Sequence, residues 1–175
     1  YNRANGGPCA NRGEWLLCKD TRAAIKRRFA FAIERWGGSG ALFAWDVWNE
    51  LHPAHGANST APFADFVEDL STFVRDTELR RYGRCHPRTV SVFGPTLVEN
   101  PQIAGVVFRH PSLDFASTHF YERDTIDCPA DTVQPAISTG ALMAEALAQI
   151  TDHRPFLDSE HGPIHLFKDR GVKLD

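Results

Sequence analysis

Short apolar runs alternate with amphipathic helical patterns along this chain, and the alternation constrains its fold more than any other feature. The runs are rich in aromatic and β-branched residues, as buried parallel strands are. We expect strands over 42–48, 89–93, 113–121 and 155–159, and helices over 20–36, 62–82, 100–109 and 133–150. Strands that alternate with helices build βα units around a parallel sheet, so the predicted fold class is α/β.

The predicted sheet could close into a barrel or stay open and doubly wound. A doubly wound nucleotide-binding protein carries a glycine-rich turn between a strand and the helix that follows it. Here the glycine-rich segment 37–40 precedes a strand instead, so it cannot hold a phosphate at a helix N-terminus. We therefore favour a (β/α)8 TIM barrel. The 175 residues would form only part of one, as a single domain over 1–175, because a complete barrel takes about 250 residues.

Two glutamates follow two of the predicted strands. Glu50 comes just after the run 42–48, and Glu160 comes just after the run 155–159. In a barrel of parallel strands, active sites are built at this carboxyl end. Two carboxylic acids placed in this way are the smallest set of catalytic groups that can hydrolyse a glycosidic bond. The sequence therefore predicts glycosidase chemistry.

Charge and composition argue against several classes of partner. The formal net charge of −3 gives no electrostatic case for binding nucleic acid or an anionic membrane. No apolar run approaches the ~18 residues that a membrane-spanning helix needs. The four cysteines match no zinc-site spacing, and Cys9 and Cys18 either close a small disulfide loop or remain separate thiols. Since the chain starts without Met or a signal segment, we expect an internal fragment of a longer protein.

Four stretches resemble the clan A glycoside hydrolases, most closely family 5, which contains cellulases and β-mannanases. Trp-Asp-Val-Trp-Asn-Glu at 45–50 is similar to the ending of that family's fourth barrel strand, and 156–162 is similar to the ending of the seventh. His-Phe-Tyr at 119–121 resembles the His-x-Tyr ending of the sixth strand, and 2–8 resembles an Asn-rich loop after the third. The resemblance implies that the chain spans strands four to seven with their helices.

The resemblance also implies a role for each of five residues. Glu160 would be the nucleophile and Glu50 the acid/base catalyst of a retaining double displacement, which requires Glu160 ionised and Glu50 protonated. Asn49 would hydrogen-bond the sugar 2-hydroxyl. Tyr121 would donate a hydrogen bond to Glu160, and His119 would lie on the substrate side or directly behind the two acids.

Further polar residues lie beside the two glutamates in the sequence. His52, His55 and His161 either line the sugar cleft or are loop residues that only lie close to it. Asp46 and Asp158 fall within strands, where a charged group costs free energy unless it is paired, so we expect both to be hydrogen-bonded or ion-paired.

The implied substrate is a β-1,4-linked polysaccharide or oligosaccharide of the mannan or cellulose type. The Asn-Gly-Gly-Pro sequence at 5–8 favours mannan over cellulose. Since a polymer must be met outside the cell, the expected location is extracellular or at the cell surface. A retaining mechanism needs no metal and no other cofactor.

Two rival functions stay open at this point. A metal-dependent hydrolase on a barrel would draw its ligands from His52, His55, Glu160, His161 and His165. A non-catalytic carbohydrate-binding relative would keep the cleft and lack the chemistry. A chelator distinguishes the first rival from a retaining glycosidase, and a Glu160→Gln substitution distinguishes the second.

Overall fold

A computed structural model describes residues 1–122 and 133–163 of the chain. The helices are α1 (Lys19–Trp36), α2 (Phe63–Tyr82), α3 (Gly94–Glu99) and α4 (Val133–Ala148). The strands are β1 (Trp45–Asp46), β2 (Arg88–Thr89), β3 (Ser91–Phe93), β4 (Ala116–Glu122) and β5 (Phe156–Pro163). Short 3-10 turns occupy Arg3–Asn5, Arg12–Glu14 and Pro53–His55, and a π turn occupies Ala104–Phe108.

The strands form two small parallel sheets. β1 pairs with β2, and β3, β4 and β5 make a second sheet in which each strand pairs with the next one along the chain. Only Val90 separates β2 from β3, so the extended run 88–93 contributes to both sheets. The α/β class with parallel strands, predicted from the alternation of patterns, is confirmed.

The first strand is shorter than predicted. Of the expected run 42–48, only Trp45–Asp46 belongs to a ladder. Pairing with the next strand resumes at Leu51, whose backbone N donates to the backbone O of Ser91 at 2.9 Å. Residues 48–50 leave the ladder between these points, an interruption that the apolar composition of the run does not reveal.

Helix α3 also departs from the prediction. It begins at Gly94, directly after β3, in a stretch for which the sequence predicts neither a strand nor a helix. Pro95 suits the first turn of a helix because it has no backbone N–H to leave unpaired. The helix predicted over 100–109 is replaced by the π turn at Ala104–Phe108.

The core lies between the helices and the sheets. Phe63, Phe66, Leu70 and Val74 of α2 are completely buried, as their helical spacing predicts. Burying each such side chain stabilises the fold by about 1.5–3 kcal/mol. Trp36 is an exception, because it follows the apolar spacing of α1 and is nevertheless 50% exposed. None of the described helices is long and apolar enough to cross a bilayer.

A buried carboxylate connects α2 to the beginnings of β1 and β2. Glu78 is fully buried, and its Oε1 accepts a hydrogen bond from the indole Nε1 of Trp45 at 2.9 Å. Its Oε2 accepts from the backbone N of His86 at 2.7 Å, and the Nδ1 of that ring lies 2.7 Å from Oε1. The negative charge of Glu78 therefore has three polar contacts inside the core.

The three cysteines that the structure describes are free thiols. Cys9 is buried, with its Sγ 3.0 Å from the Oγ1 of Thr21. Cys18 precedes α1 as its N-cap residue. A hydrogen bond from the Thr21 backbone lowers the pKa of its thiol. Cys128 lies outside the described residues.

Candidate active site

The ends of the parallel strands bring Glu50, His119 and Glu160 together. The Nδ1 of His119 lies 3.0 Å from Glu50 Oε1 and 3.5 Å from Glu160 Oε2. One oxygen of each glutamate and a ring nitrogen of the histidine all lie within 4.8 Å of one another. His119 is buried, whereas both carboxylates are partly exposed. The ring therefore contacts the acids from the protein interior and leaves them open to solvent.

The register between β4 and β5 places Glu160 against His119. Thr118 pairs with Asp158 and His119 pairs with Glu160, so Ser159 is an extra residue on β5. Such bulges re-aim side chains and are common beside active sites. Glu160 consequently lies inside the ladder of β5, which continues to Pro163, and not beyond the strand end as predicted.

Tyr121 lies two residues after His119 on β4, so both side chains point to the same face of the sheet. The Tyr121 hydroxyl donates a hydrogen bond to Glu160 Oε1, which is the contact that the sequence predicts. This hydrogen bond to the carboxylate favours the neutral phenol and raises the pKa of Tyr121 to about 12. The hydroxyl is therefore protonated near pH 7 and can donate to Glu160.

Glu50 has an unusual backbone conformation. Its φ of 50° lies in the left-handed region, which residues other than glycine seldom adopt. Strained conformations of this kind cluster at functional sites, where the surrounding structure enforces them. The neighbouring Asn49 is exposed and lines the same cleft as Glu50, as its predicted role requires.

The two acids open into a cleft of about 590 Å³. Its lining residues are Arg12, Trp15, Trp48, Asn49, Glu50, His52, His55, Phe93, Tyr121 and Glu160. Sequence reasoning missed Arg12, Trp15 and Phe93. The first two lie on a loop with no periodic pattern to indicate which way a side chain points, and Phe93 reads as an ordinary strand residue.

His52 and His55 both line the cleft, on the turn that follows Glu50. The Nδ1 of His52 accepts from the backbone N of Ala54 at 3.0 Å, and the Nδ1 of His55 accepts from the backbone N of His52 at 3.3 Å. Burial lowers the pKa of His52, and burial also lowers the pKa of His55 to about 4. Both rings are therefore neutral near pH 7 and carry their proton on Nε2.

The strand aspartates are paired, as predicted. Asp46 Oδ1 accepts from the backbone N of Trp48 at 3.2 Å and of Ser91 at 3.1 Å. Asp158 Oδ2 lies 3.1 Å from the Nδ1 of His161. His161 is exposed, and the described residues that line the cleft do not include it. Its role in substrate binding therefore stays a prediction.

The same three groups could also hold a cation. Glu50, His119 and Glu160 offer two carboxylate oxygens and one imidazole nitrogen at mutual distances that a single metal ion could bridge. This set differs from the metal ligands that the sequence suggests, of which His165 lies outside the described residues. The geometry is thus compatible with two chemistries, proton transfer between carboxyls and metal-assisted hydrolysis.

No protein-family model matches the chain, and no curated protein matches it. The functional interpretation therefore depends on the arrangement of Glu50, Glu160 and the groups around them.

Proposed function

We propose that this chain carries the catalytic centre of a retaining β-glycoside hydrolase. The observation that supports the proposal best is the pair Glu50 and Glu160, whose nearest carboxylate oxygens lie within 4.8 Å across an open cleft. Retaining enzymes place their two carboxyl groups about 5–5.5 Å apart, whereas inverting enzymes keep them about 6.5–9.5 Å apart to admit a water molecule. The nearest oxygens of the two acids lie closer together than the inverting range, and we therefore propose retention.

In the first step, an oxygen of Glu160 attacks the anomeric carbon while the bond from that carbon to the leaving oxygen breaks. Glu50 gives its proton to the leaving oxygen, so a glycosyl-enzyme and a free alcohol are formed. In the second step, Glu50 takes a proton from water, and the water oxygen displaces Glu160 from the anomeric carbon. Tyr121 stabilises the charged form of Glu160 at the start and at the end of this cycle.

The architecture proposed around this site is a partial TIM barrel. The runs 45–46, 88–93, 116–122 and 156–163 each pair with the next run along the chain, which is the order found in a barrel, whereas a doubly wound sheet reverses its order at a switch point. On this proposal the chain corresponds to strands four to seven of a family 5-like enzyme. The strand order and the placement of both acids on one side support it.

The proposed substrate is a β-1,4-linked polysaccharide or oligosaccharide, of the mannan or cellulose type, met outside the cell. Trp15 and Trp48 line the cleft with their rings in edge contact at 6.1 Å, and Trp15 stacks on His55 at 5.1 Å. Aromatic rings beside neutral imidazole donors suit an uncharged sugar, because they offer apolar faces together with hydrogen bonds.

The experiment that tests this proposal assays the full polypeptide that contains this chain, together with its Glu50→Gln and Glu160→Gln variants. Each protein is given mannan, a soluble cellulose derivative, xylan and mixed-linkage glucan, with and without a chelator. We expect the unsubstituted protein alone to release reducing sugar from one of the β-1,4-linked polymers, with an anomeric product of retained configuration, whether or not chelator is present.

Other outcomes point to the rival functions. Activity that disappears with chelator would favour metal-assisted hydrolysis, for which Glu50, His119 and Glu160 provide the ligand set. Polymer binding without turnover in every variant would favour a non-catalytic carbohydrate-binding protein. Activity that survives both substitutions would place the chemistry on other residues.

A further inference from the structure

We propose that Ser91 is a positioning residue for Glu50, holding the backbone of the acid/base catalyst in its left-handed conformation. The inference rests on the proposed function, because it concerns how Glu50 is aimed at the leaving oxygen. Ser91 is completely buried and does not line the described cleft, so it acts through Glu50 and not by touching the substrate.

Four hydrogen bonds tie Ser91 to the segment that carries Glu50. The backbone N of Glu50 donates to Ser91 Oγ at 3.0 Å, and the Ser91 hydroxyl in turn reaches the backbone O of Trp48 at 3.5 Å. The backbone N of Ser91 donates to Asp46 Oδ1 at 3.1 Å, and its backbone O accepts from the N of Leu51 at 2.9 Å. One residue thus contacts both ends and the middle of the interrupted strand.

The segment needs this support because residues 48–50 have left the ladder. A backbone N–H that loses its strand partner must find another acceptor or remain unsatisfied, which destabilises the fold. For Glu50 that acceptor is the hydroxyl of Ser91. The left-handed φ of Glu50 is itself unfavourable, so the conformation persists only while neighbouring groups hold it.

A serine fits this position better than other small residues. Its hydroxyl can accept from Glu50 and donate to Trp48 at the same time, since it has two lone pairs and one proton. An alanine in the same space would leave the Glu50 N–H unsatisfied. The segment would then relax towards ordinary backbone angles, and the Glu50 carboxylate would shift from its 3.0 Å contact with His119.

Varying the leaving group of the substrate separates a misplaced Glu50 carboxyl from a general loss of stability. In a retaining enzyme, a glycoside with a poor leaving group, such as phenol, needs the acid, whereas a dinitrophenyl glycoside departs without protonation. For Ser91→Ala we expect kcat/KM on the phenyl glycoside to fall about 10–100-fold, part of the 10²–10⁴-fold that acid catalysis supplies. On the dinitrophenyl glycoside we expect kcat/KM to change by less than about threefold.

The second step supplies an independent readout. Deglycosylation of the dinitrophenyl substrate needs Glu50 as a base, so kcat for Ser91→Ala should fall. Added azide needs no base, because it is already an anion, and it should restore kcat with release of a glycosyl azide. Ser91→Thr keeps the hydroxyl and should return the ratio of the two kcat/KM values towards that of the unsubstituted protein.

The matched control is Ser71→Ala. Ser71 is also fully buried, and its hydroxyl donates to the backbone O of Ser112 at 2.6 Å, on α2 and away from the two acids. The Ser71→Ala protein should lose about as much stability as the Ser91→Ala protein. The ratio of its kcat/KM values on the two glycosides should stay constant. The control therefore separates the cost of an unsatisfied buried group from a misplaced acid.

Two results would overturn the assignment of Ser91. One is an equal loss on both glycosides without azide rescue, which would make Ser91 a purely structural residue. The other is a Ser91→Ala protein with unchanged kinetics. The Glu50→Gln variant distinguishes these from failure of the proposed function, since full activity in that variant would remove Glu50 itself from the mechanism.

Discussion

At the scale of single residues, the contact between Tyr121 and Glu160 has the most direct kinetic consequence. Replacing Tyr121 by Phe removes the donor and leaves the ring. A hydrogen bond to a charged group contributes about 1.5–3 kcal/mol, so kcat should fall about 10–100-fold while KM changes little. Tyr82→Phe is the control, because that hydroxyl donates to the backbone O of Ile33 at 3.0 Å on another part of the molecule. A Tyr121→Phe protein with unchanged kcat would contradict the role given to the contact.

The partly buried ring of His55 should make the free energy of unfolding depend on pH. Burial holds its pKa at about 4 in the folded protein, below the ordinary value of 6.5, so the unfolded chain binds this proton first as pH falls. Folding stability should therefore be fully present above pH 6.5 and decline between 6.5 and about 4. Because the ring is partly exposed, we expect a loss of only about 1–2 kcal/mol.

Urea titrations at several pH values measure this effect of His55. The decline in the free energy of unfolding should be smaller in His55→Gln than in the unsubstituted protein. His153→Asn removes an exposed imidazole, and Asn tolerates the left-handed φ of 60° found there. If both variants reproduce the original pH dependence, burial of His55 has no energetic consequence.

The residues of the site were not equally predictable from sequence. Glu50, Glu160 and Tyr121 follow strand-like runs or belong to one, so the ends of parallel strands place them at a common edge of the sheet. Arg12 and Trp15 belong to a loop, where no pattern gives a direction. Their position in the cleft depends on contacts between segments far apart in the chain.

At the scale of elements, Glu78 connects helix α2 to two strand beginnings and should be costly to replace. Glu78→Leu has a similar volume but leaves the Trp45 indole and the backbone N of His86 without their acceptor. Each buried donor left without an acceptor costs about 1–3 kcal/mol, so urea denaturation should show a loss of about 2–6 kcal/mol. Glu68→Leu is the control on the same helix, since its side chain is 56% exposed and should change stability by less than about 0.5 kcal/mol. Equal denaturation midpoints for the two variants would refute the prediction.

The two long helices were more predictable than the strands for a physical reason. The ranges 20–36 and 62–82 match α1 and α2 to within one residue, because apolar spacing and end signals such as the glycines at 37–40 are local. The extent of β1 is not local. It depends on pairing with residues 88–91, and nothing in the run 42–48 indicates that pairing.

At the scale of the whole molecule, apolar surface is concentrated beside β1. Phe31, Trp36 and Phe43 are 61, 50 and 69% exposed, and no described strand pairs with the second edge of β1. A groove of about 910 Å³ runs between α1 and the segment that follows β1. Exposed strand edges and apolar patches of this kind promote association.

The isolated 175-residue chain should therefore self-associate as its concentration rises. Phe43→Lys places a charge beside the open edge and should shift the sedimentation coefficient towards that of a monomer. Val98→Lys changes an equally apolar side chain that is 49% exposed on α3, and it should leave the association as it was. A chain that sediments as a monomer at every concentration would show that this surface does not drive association.

The order in which the strands pair also bears on how the chain is made. Trp45 pairs with Arg88, Ser91 with Ser117 and Ala116 with Phe156, so each of these three ladders joins segments that leave the ribosome one after the other. Each of these pairs can form before the next described strand has been synthesised. Among the described strands assembly can thus proceed in chain order, with Glu50 and Ser91 in place before Glu160 is translated.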